Sequence, residues 1–82
     1  MKILLVENDR KIGQFIKKGL EEVAYPTTLA NSCATGMDAF FEGNFDVVIL
    51  DLGLGDGDGM DLLAAWRHQK FQTPVLILSA RG

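Results

Sequence analysis

The sequence predicts a single α/β domain in which helices cover a parallel sheet. Four short strand-like runs, at residues 3–6, 25–30, 47–50 and 75–78, alternate with three segments whose apolar residues recur at helical spacing. Strands that alternate with helices of about ten residues are typical of a parallel sheet with right-handed crossovers. Three of the runs end in polar side chains, and open α/β sheets place their chemistry at such strand ends.

Length and composition restrict the class of protein. A chain of 82 residues forms at most one small domain, and its 48% hydrophobic and 23% charged residues indicate a globular protein. The net charge of −3 is not typical of a surface that binds nucleic acid or anionic membranes. The lone cysteine, Cys33, excludes an internal disulfide, and no apolar run approaches the length of about 20 residues that a membrane helix needs. We therefore expect a cytoplasmic protein.

The first strand, Ile3–Val6, leads into a helix that either Asn8 or Asp9 can cap. Six residues of that helix are predicted to form one apolar stripe: Ile12, Phe15, Ile16, Gly19, Leu20 and Val23. The next strand, residues 25–30, contains Pro26. Because proline has no N–H to donate, this strand is predicted to lie at an edge of the sheet.

A second helix is predicted to begin after Asn31 or Ser32 and to end near Gly43. Its expected anchors in the core are Met37, Phe40 and Phe41. The third strand, Val47–Leu50, is wholly apolar, which is typical of a strand buried on both faces of a sheet.

The third helix is predicted at Met60–Gln69, with Leu62, Leu63 and Trp66 as its buried positions. The fourth strand, Val75–Leu78, follows Pro74. As the last strand of the chain it is expected to leave an uncovered edge, and such edges promote pairing between molecules. We therefore expect a homo-oligomer that forms through this edge.

Polar side chains follow three of the four strands: Glu7 and Asn8, then Asp51, then Ser79. The carboxyl ends of parallel strands share one edge, so these side chains are expected to meet. Two carboxylates about 4 Å apart repel by about 4 kcal/mol at an effective dielectric of about 20, and a cation relieves this repulsion. All the available ligands are oxygens, which favours Mg²⁺ over zinc.

A glycine-rich loop follows Asp51, with glycines at 53, 55, 57 and 59 that allow sharp turns. The loop fails as a calcium loop, because aligning Gly59 with the glycine of that motif places Leu54 and Ala65 at ligand positions. It also fails as a dinucleotide-binding motif, because Asp58 occupies the third glycine position. We interpret it as a turn that lies beside Asp51.

Three strings of the chain resemble the receiver domain of two-component response regulators: Lys2–Asp9, Val47–Gly59 and Thr73–Ala80. The resemblance covers all 82 residues in order. It implies a flavodoxin-like sheet of strand order 2-1-3-4, with helices on both faces. It also implies that residues 1–82 are the N-terminal part of a single receiver domain, which stops before the family's fourth helix, fifth strand and fifth helix and before a lysine that they contain.

The resemblance implies a role for each residue at the sheet edge. Asp51 matches the aspartate that accepts a phosphoryl group from a sensor histidine kinase, and Ser79 matches the switch hydroxyl that moves toward that group. Glu7 and Asn8 match the acidic pair that binds Mg²⁺ together with Asp51, and Gly53 matches the position that offers its carbonyl to the metal.

Two positions depart from the family pattern. Asn8 stands where the family usually has aspartate, so the metal site loses one negative charge. Gly55 stands where the family commonly has proline, which is expected to loosen the loop.

The main hypothesis is therefore a signalling module that is not an enzyme, which is phosphorylated on Asp51 and regulates transcription through an effector domain outside this chain. The first alternative is a truncated fragment that folds and self-associates without phosphotransfer, which Asn8 would favour. The second is a Mg²⁺-dependent phosphotransferase with Asp51 as its nucleophile, which has no nearby acid or base except Glu7.

Overall fold

The computed structural model describes residues 1–54 and 56–78. Strands and helices alternate along the chain as the sequence predicts, and the predictions made for Gly55 and Ser79 lie outside the described residues. The elements are β1 (Ile3–Val6), α1 (Arg10–Glu22), β2 (Thr27–Ala30), α2 (Cys33–Glu42), β3 (Val47–Asp51), α3 (Gly59–His68) and β4 (Val75–Leu78).

The four strands form one parallel sheet in the order β2-β1-β3-β4, which confirms the predicted flavodoxin-like arrangement. Val6 of β1 pairs with Ala30 of β2 on one side and with Leu50 of β3 on the other, so these three strands end at the same level. β2 lies at an edge, as predicted, but it begins at Thr27, so Pro26 precedes the strand instead of lying within it. β1 and β3 lie in the centre because their apolar side chains can be buried on both faces of the sheet.

The larger part of the core lies between the sheet and the helices α2 and α3. The Trp66 ring is 1% exposed and stacks on Phe40, with 4.5 Å between the ring centroids. Leu54, from the loop after β3, is 2% exposed and belongs to the same cluster. Phe41 is 53% exposed, so the prediction that it anchors α2 in the core is wrong. Its ring packs edge-on against Phe40 and Phe71, with 6.2 Å and 5.5 Å between the ring centroids.

Helix α1 covers the opposite face of the sheet, and the predicted apolar stripe is only partly correct. Ile16 and Leu20 pack against the cluster formed by β1 and β3. Helix α1 comes close to β2 at buried Gly13, where an added Cβ would lie 3.0 Å from Cδ1 of Leu29. This approach turns the helix so that positions 13, 16 and 20 face the sheet. The predicted stripe residues that are exposed instead are Ile12, Phe15, Gly19 and Val23.

Side-chain caps define where the helices begin. Asp9, rather than Asn8, caps α1 and accepts a hydrogen bond of 3.1 Å from the Ile12 N–H. Ser32, rather than Asn31, caps α2. Asp58 caps α3. Within residues 1–54 and 56–78, no helix has the length and apolar character that crossing a membrane requires.

Candidate functional site

Two buried carboxylates lie at the carboxyl ends of the central strands. Glu7 directly follows β1 and is 6% exposed, while Asp51 is the last residue of β3 and is 8% exposed. Because Val6 pairs with Leu50, Glu7 and Asp51 stand at the same level on neighbouring strands, which are about 4.8 Å apart. The structure therefore brings together the two acidic residues that the sequence predicts to meet.

Electrostatics link these two side chains. Burial raises the pKa of Glu7 above its ordinary value, and the charge of Asp51 and a side-chain hydrogen bond with it raise that pKa further. The N–H of Asp9 donates a hydrogen bond of 3.2 Å to Oε1 of Glu7, which partly opposes this shift. The pair therefore holds two negative charges only at a free-energy cost, and a cation placed between the carboxylates would reduce that cost.

Asn8 lies between Glu7 and the helix cap Asp9, and its side chain is exposed. The Asp9 carboxylate is occupied with the N–H of Ile12 at the start of α1. The amide oxygen of Asn8 can coordinate a cation, but it brings no charge. This segment therefore offers one buried carboxylate, Glu7, where the family pattern has two acidic residues.

The loop after β3 passes close to Asp51. The N–H of Gly53 donates to Oδ1 of Asp51 at 3.4 Å, and Gly53 forms an isolated antiparallel bridge with Asp58. The predicted need for glycine applies at Gly59, where an added Cβ would lie 2.5 Å from the carbonyl oxygen of Asp51. At Gly53 an added Cβ would meet no atom within 4 Å, so there the requirement for glycine is not steric.

The residues at this edge fit an oxygen-ligated divalent cation. In the part of the chain that the structure describes, no three side chains of His, Cys, Asp or Glu gather as a metal cluster. The predicted set instead combines the carboxylates of Glu7 and Asp51 with the amide of Asn8 and the carbonyl of Gly53. Such hard oxygen donors suit Mg²⁺, which keeps several waters and needs only one or two carboxylates.

Ser79 lies outside the described residues, so its predicted role stays a prediction. Its predecessor in the chain, Leu78, pairs with Asp51 across β3 and β4.

Sequence reasoning missed one contact of the loop. The Asp56 carboxylate accepts hydrogen bonds from the backbone N–H groups of Cys33, at 2.8 Å, and Ala34, at 3.2 Å, at the start of α2. These bonds hold the pKa of Asp56 below its ordinary value. No local pattern indicates this contact, because Asp56 and Cys33 are 23 residues apart in the chain.

Comparison with known proteins identifies the family. The family model described as "Response regulator receiver domain" matches residues 3–82. The chain belongs to this family. It is a receiver domain sequence of the kind found in two-component response regulators, as its sequence motifs predict.

Relatives with curated names and solved structures agree with this assignment. The transcriptional regulatory protein QseB of Escherichia coli O157:H7 is 42% identical over 81 residues, which are 99% of this chain and 37% of QseB. The receiver domain of the Francisella response regulator 1452 superposes with a TM-score of 0.94 at 39% identity, over 98% of this chain and 66% of that one. TrrA of Thermotoga maritima, solved in complex with Mg²⁺ and BeF, superposes with a TM-score of 0.92 at 28% identity, over 99% of this chain and 70% of TrrA. The chain spans little more than a third of the curated relatives' length.

Proposed function

We propose that Asp51 accepts a phosphoryl group in a Mg²⁺-dependent reaction, and that residues 1–82 are the N-terminal part of a single receiver domain. The observation that carries this proposal is the pair of buried carboxylates, Glu7 and Asp51, at the same level on the two central strands. Burying two such groups side by side is unfavourable for stability alone, which favours a functional reason for the arrangement.

The donor in this proposal is a phosphorylated histidine of a sensor kinase. A carboxylate oxygen of Asp51 attacks the phosphorus, the phosphorus–nitrogen bond breaks, and the imidazole keeps the electron pair and takes up a proton. The product is an acyl phosphate on Asp51. The buried strand β3 holds the nucleophile at a fixed position, which lowers the entropic part of the barrier.

Glu7, Asn8, Asp51 and the carbonyl of Gly53 are the residues that would hold Mg²⁺. The metal supplies positive charge that offsets the carboxylates and the incoming phosphoryl oxygens. The solved complex of TrrA with Mg²⁺ and BeF supports this assignment by similarity. Because Asn8 is uncharged, we expect weaker Mg²⁺ binding than an aspartate at that position would give.

Phosphorylation would change the surface that the domain presents. An added phosphoryl group carries about −1.5 to −2 charges, by analogy with other phosphorylated side chains. Ser79 is proposed as the hydroxyl that moves toward this group. The protein is then an acceptor that is modified once per cycle, rather than an enzyme that turns over a substrate.

The partners follow from the family. We propose a sensor histidine kinase as the phosphoryl donor, in the cytoplasm. QseB is called a transcriptional regulatory protein. DNA contact is proposed to come from a part of a longer protein outside these residues, since a net charge of −3 is not typical of a domain that binds nucleic acid.

Self-association through β4 is a further part of the proposal. Among the described residues β4 forms the outer edge of the sheet, and Leu76 and Ile77 are 57% and 40% exposed. An exposed apolar edge strand can pair with a second copy of itself.

Intact-mass spectrometry tests the phosphoryl transfer. The protein is incubated with a small phosphodonor such as acetyl phosphate, with Mg²⁺ or with a chelator. We expect one phosphoryl group on the wild type and on the matched control Asp38→Asn, which changes an exposed acid of α2. Asp51→Asn and the chelator should both prevent the modification. An unmodified wild type, or an equal adduct on Asp51→Asn, would contradict the proposal, and an unmodified protein that still self-associates would favour the structural alternative.

A further inference from the structure

The loop between β3 and α3 follows Asp51 directly, and one of its side chains is hydrogen-bonded to the start of α2. Oδ1 of Asp56 accepts from the Cys33 N–H and Oδ2 accepts from the Ala34 N–H, so the carboxylate spans both backbone donors. A carboxylate at the N-terminus of a helix also interacts favourably with the helix dipole. In the chain, α2 and this loop are separated by the whole of β3.

The start of α2 is built to receive this carboxylate. The third N–H of the helix, that of Thr35, donates to the Ser32 side chain in a capping box. The first two N–H groups, those of Cys33 and Ala34, are left for an acceptor from elsewhere, and Asp56 supplies it. Without that acceptor these two donors would have to bond to water.

Two further contacts hold the loop on either side of Asp56. Leu54 is buried in the core beside α2 and α3. Gly57 lies against the Cys33 thiol, since an added Cβ would be 3.0 Å from its Sγ. A glycine-rich loop loses much conformational entropy when it is ordered, so each such contact matters for its conformation.

We propose that Asp56 is a positioning residue: it holds the loop between β3 and α3 against the N-terminus of α2, in the conformation in which Asp51 and the Gly53 carbonyl can bind Mg²⁺. The part that concerns Mg²⁺ rests on the proposed function. Binding at one end of such a contact must affect the other by the same factor, so Mg²⁺ should in turn protect the start of α2.

The contact can be cut from both sides. Asp56→Asn removes the charge and replaces one acceptor oxygen by an NH₂ group. Cys33→Pro removes the N–H donor at the first position of α2, where proline is well tolerated. The preceding residue, Ser32, has φ −156° and ψ 168°, the extended conformation that a following proline requires.

Two controls match these changes. Cys33→Ala keeps the backbone N–H and removes only the thiol. Asp61→Asn removes an exposed charge from the first turn of α3, close to the same loop. Both controls keep the two backbone N–H groups that donate to Asp56. Cys33→Ala also removes the hydrogen bond between the thiol and Asp56, so Cys33→Pro is compared with Cys33→Ala to isolate the loss of the backbone donor.

The experiment measures Mg²⁺ affinity by calorimetry and the exchange rate of the Gly59 N–H, which donates to the carbonyl of Leu52 within the loop. Asp56→Asn and Cys33→Pro should each weaken Mg²⁺ binding by about fivefold, the lower end of typical couplings because the contact is exposed. Both should speed exchange at Gly59 without metal. The double variant should weaken Mg²⁺ binding by less than the product of the two single effects, because both changes act on the same contact.

The inference would be overturned if Asp56→Asn and Cys33→Pro had the same Mg²⁺ affinity and Gly59 exchange rate as their controls. It would also be overturned if the two changes together weakened Mg²⁺ binding by the product of their separate effects. If the wild type itself does not bind Mg²⁺, the proposed function fails instead. Metal-free exchange at Gly59 then decides the inference: faster exchange in both variants than in their controls supports the role of Asp56 in fixing the loop, and unchanged exchange overturns it.

Discussion

Replacing Glu7 by glutamine should stabilise the metal-free protein. Glu7 and Asp51 are both buried, and the charge of Asp51 disfavours the charged form of Glu7. Glutamine has nearly the same shape and can still accept the hydrogen bond from the Asp9 N–H through its amide oxygen. Its NH₂ group can also donate to Asp51, so the substitution removes the repulsion and keeps a hydrogen bond between the two side chains.

The magnitude follows from the strand spacing. Two unit charges on neighbouring strands about 4.8 Å apart repel by about 3 kcal/mol at an effective dielectric of about 20. This value is an upper limit, because the raised pKa of Glu7 lets the pair reduce its repulsion by binding a proton. We therefore expect the free energy of unfolding to rise by about 1–3 kcal/mol at neutral pH.

Urea unfolding in the presence of a chelator measures this change, with the buried Trp66 as the fluorescent probe. Asp38→Asn serves as the control, since it removes an exposed charge and should change the stability by less than about 0.5 kcal/mol. A Glu7→Gln variant that is no more stable than the wild type, with the control unchanged, would refute the claim that these carboxylates oppose one another.

Three further predictions concern the loop and the sheet edge. Gly59→Ala should lower the free energy of unfolding, measured in urea, by about 3 kcal/mol, because its Cβ would lie 2.5 Å from a backbone oxygen. The control Gly19→Ala, which has open space around it, should be neutral or slightly stabilising. Equal effects of the two substitutions would contradict the close approach at Gly59. The stability that Asp56 contributes should be complete above the ordinary aspartate pKa of about 3.9 and should disappear as the pH falls through the lower folded-state pKa. The gap in unfolding free energy between wild type and Asp56→Asn should therefore close on acidification below about pH 4, and a gap that widens there would contradict the lowered pKa. Leu76→Lys should reduce self-association, measured by sedimentation velocity at high protein concentration, since it places a charge on the exposed edge strand. A wild type that stays monomeric at every concentration would contradict the proposal of edge pairing.

Much of the fold follows from local sequence patterns. The apolar runs of β1 and β3 predict central strands, and Pro26 predicts the edge position of β2, although the strand itself begins at Thr27. Since parallel strands end on one side, the same patterns also predict that Glu7 and Asp51 meet. The order of the strands came from the family resemblance rather than from periodicity.

What the sequence could not predict depends on contacts between distant segments. The face that α1 turns to the sheet is decided by the approach of Gly13 to Leu29, and a glycine carries no hydrophobic signal. Phe15 is therefore exposed although its spacing favours burial. The contact of Asp56 with the start of α2 joins residues 23 positions apart, and in the sequence Asp56 looks like an ordinary turn residue.

A Mg²⁺ titration followed by amide NMR tests the central claim most directly. The account predicts saturable shifts at Asn8 and Gly53, which the wild type and Asp38→Asn share and which Asp51→Asn loses. Shifts that do not saturate, or that persist unchanged in Asp51→Asn, would show that the two strand ends do not share a divalent cation.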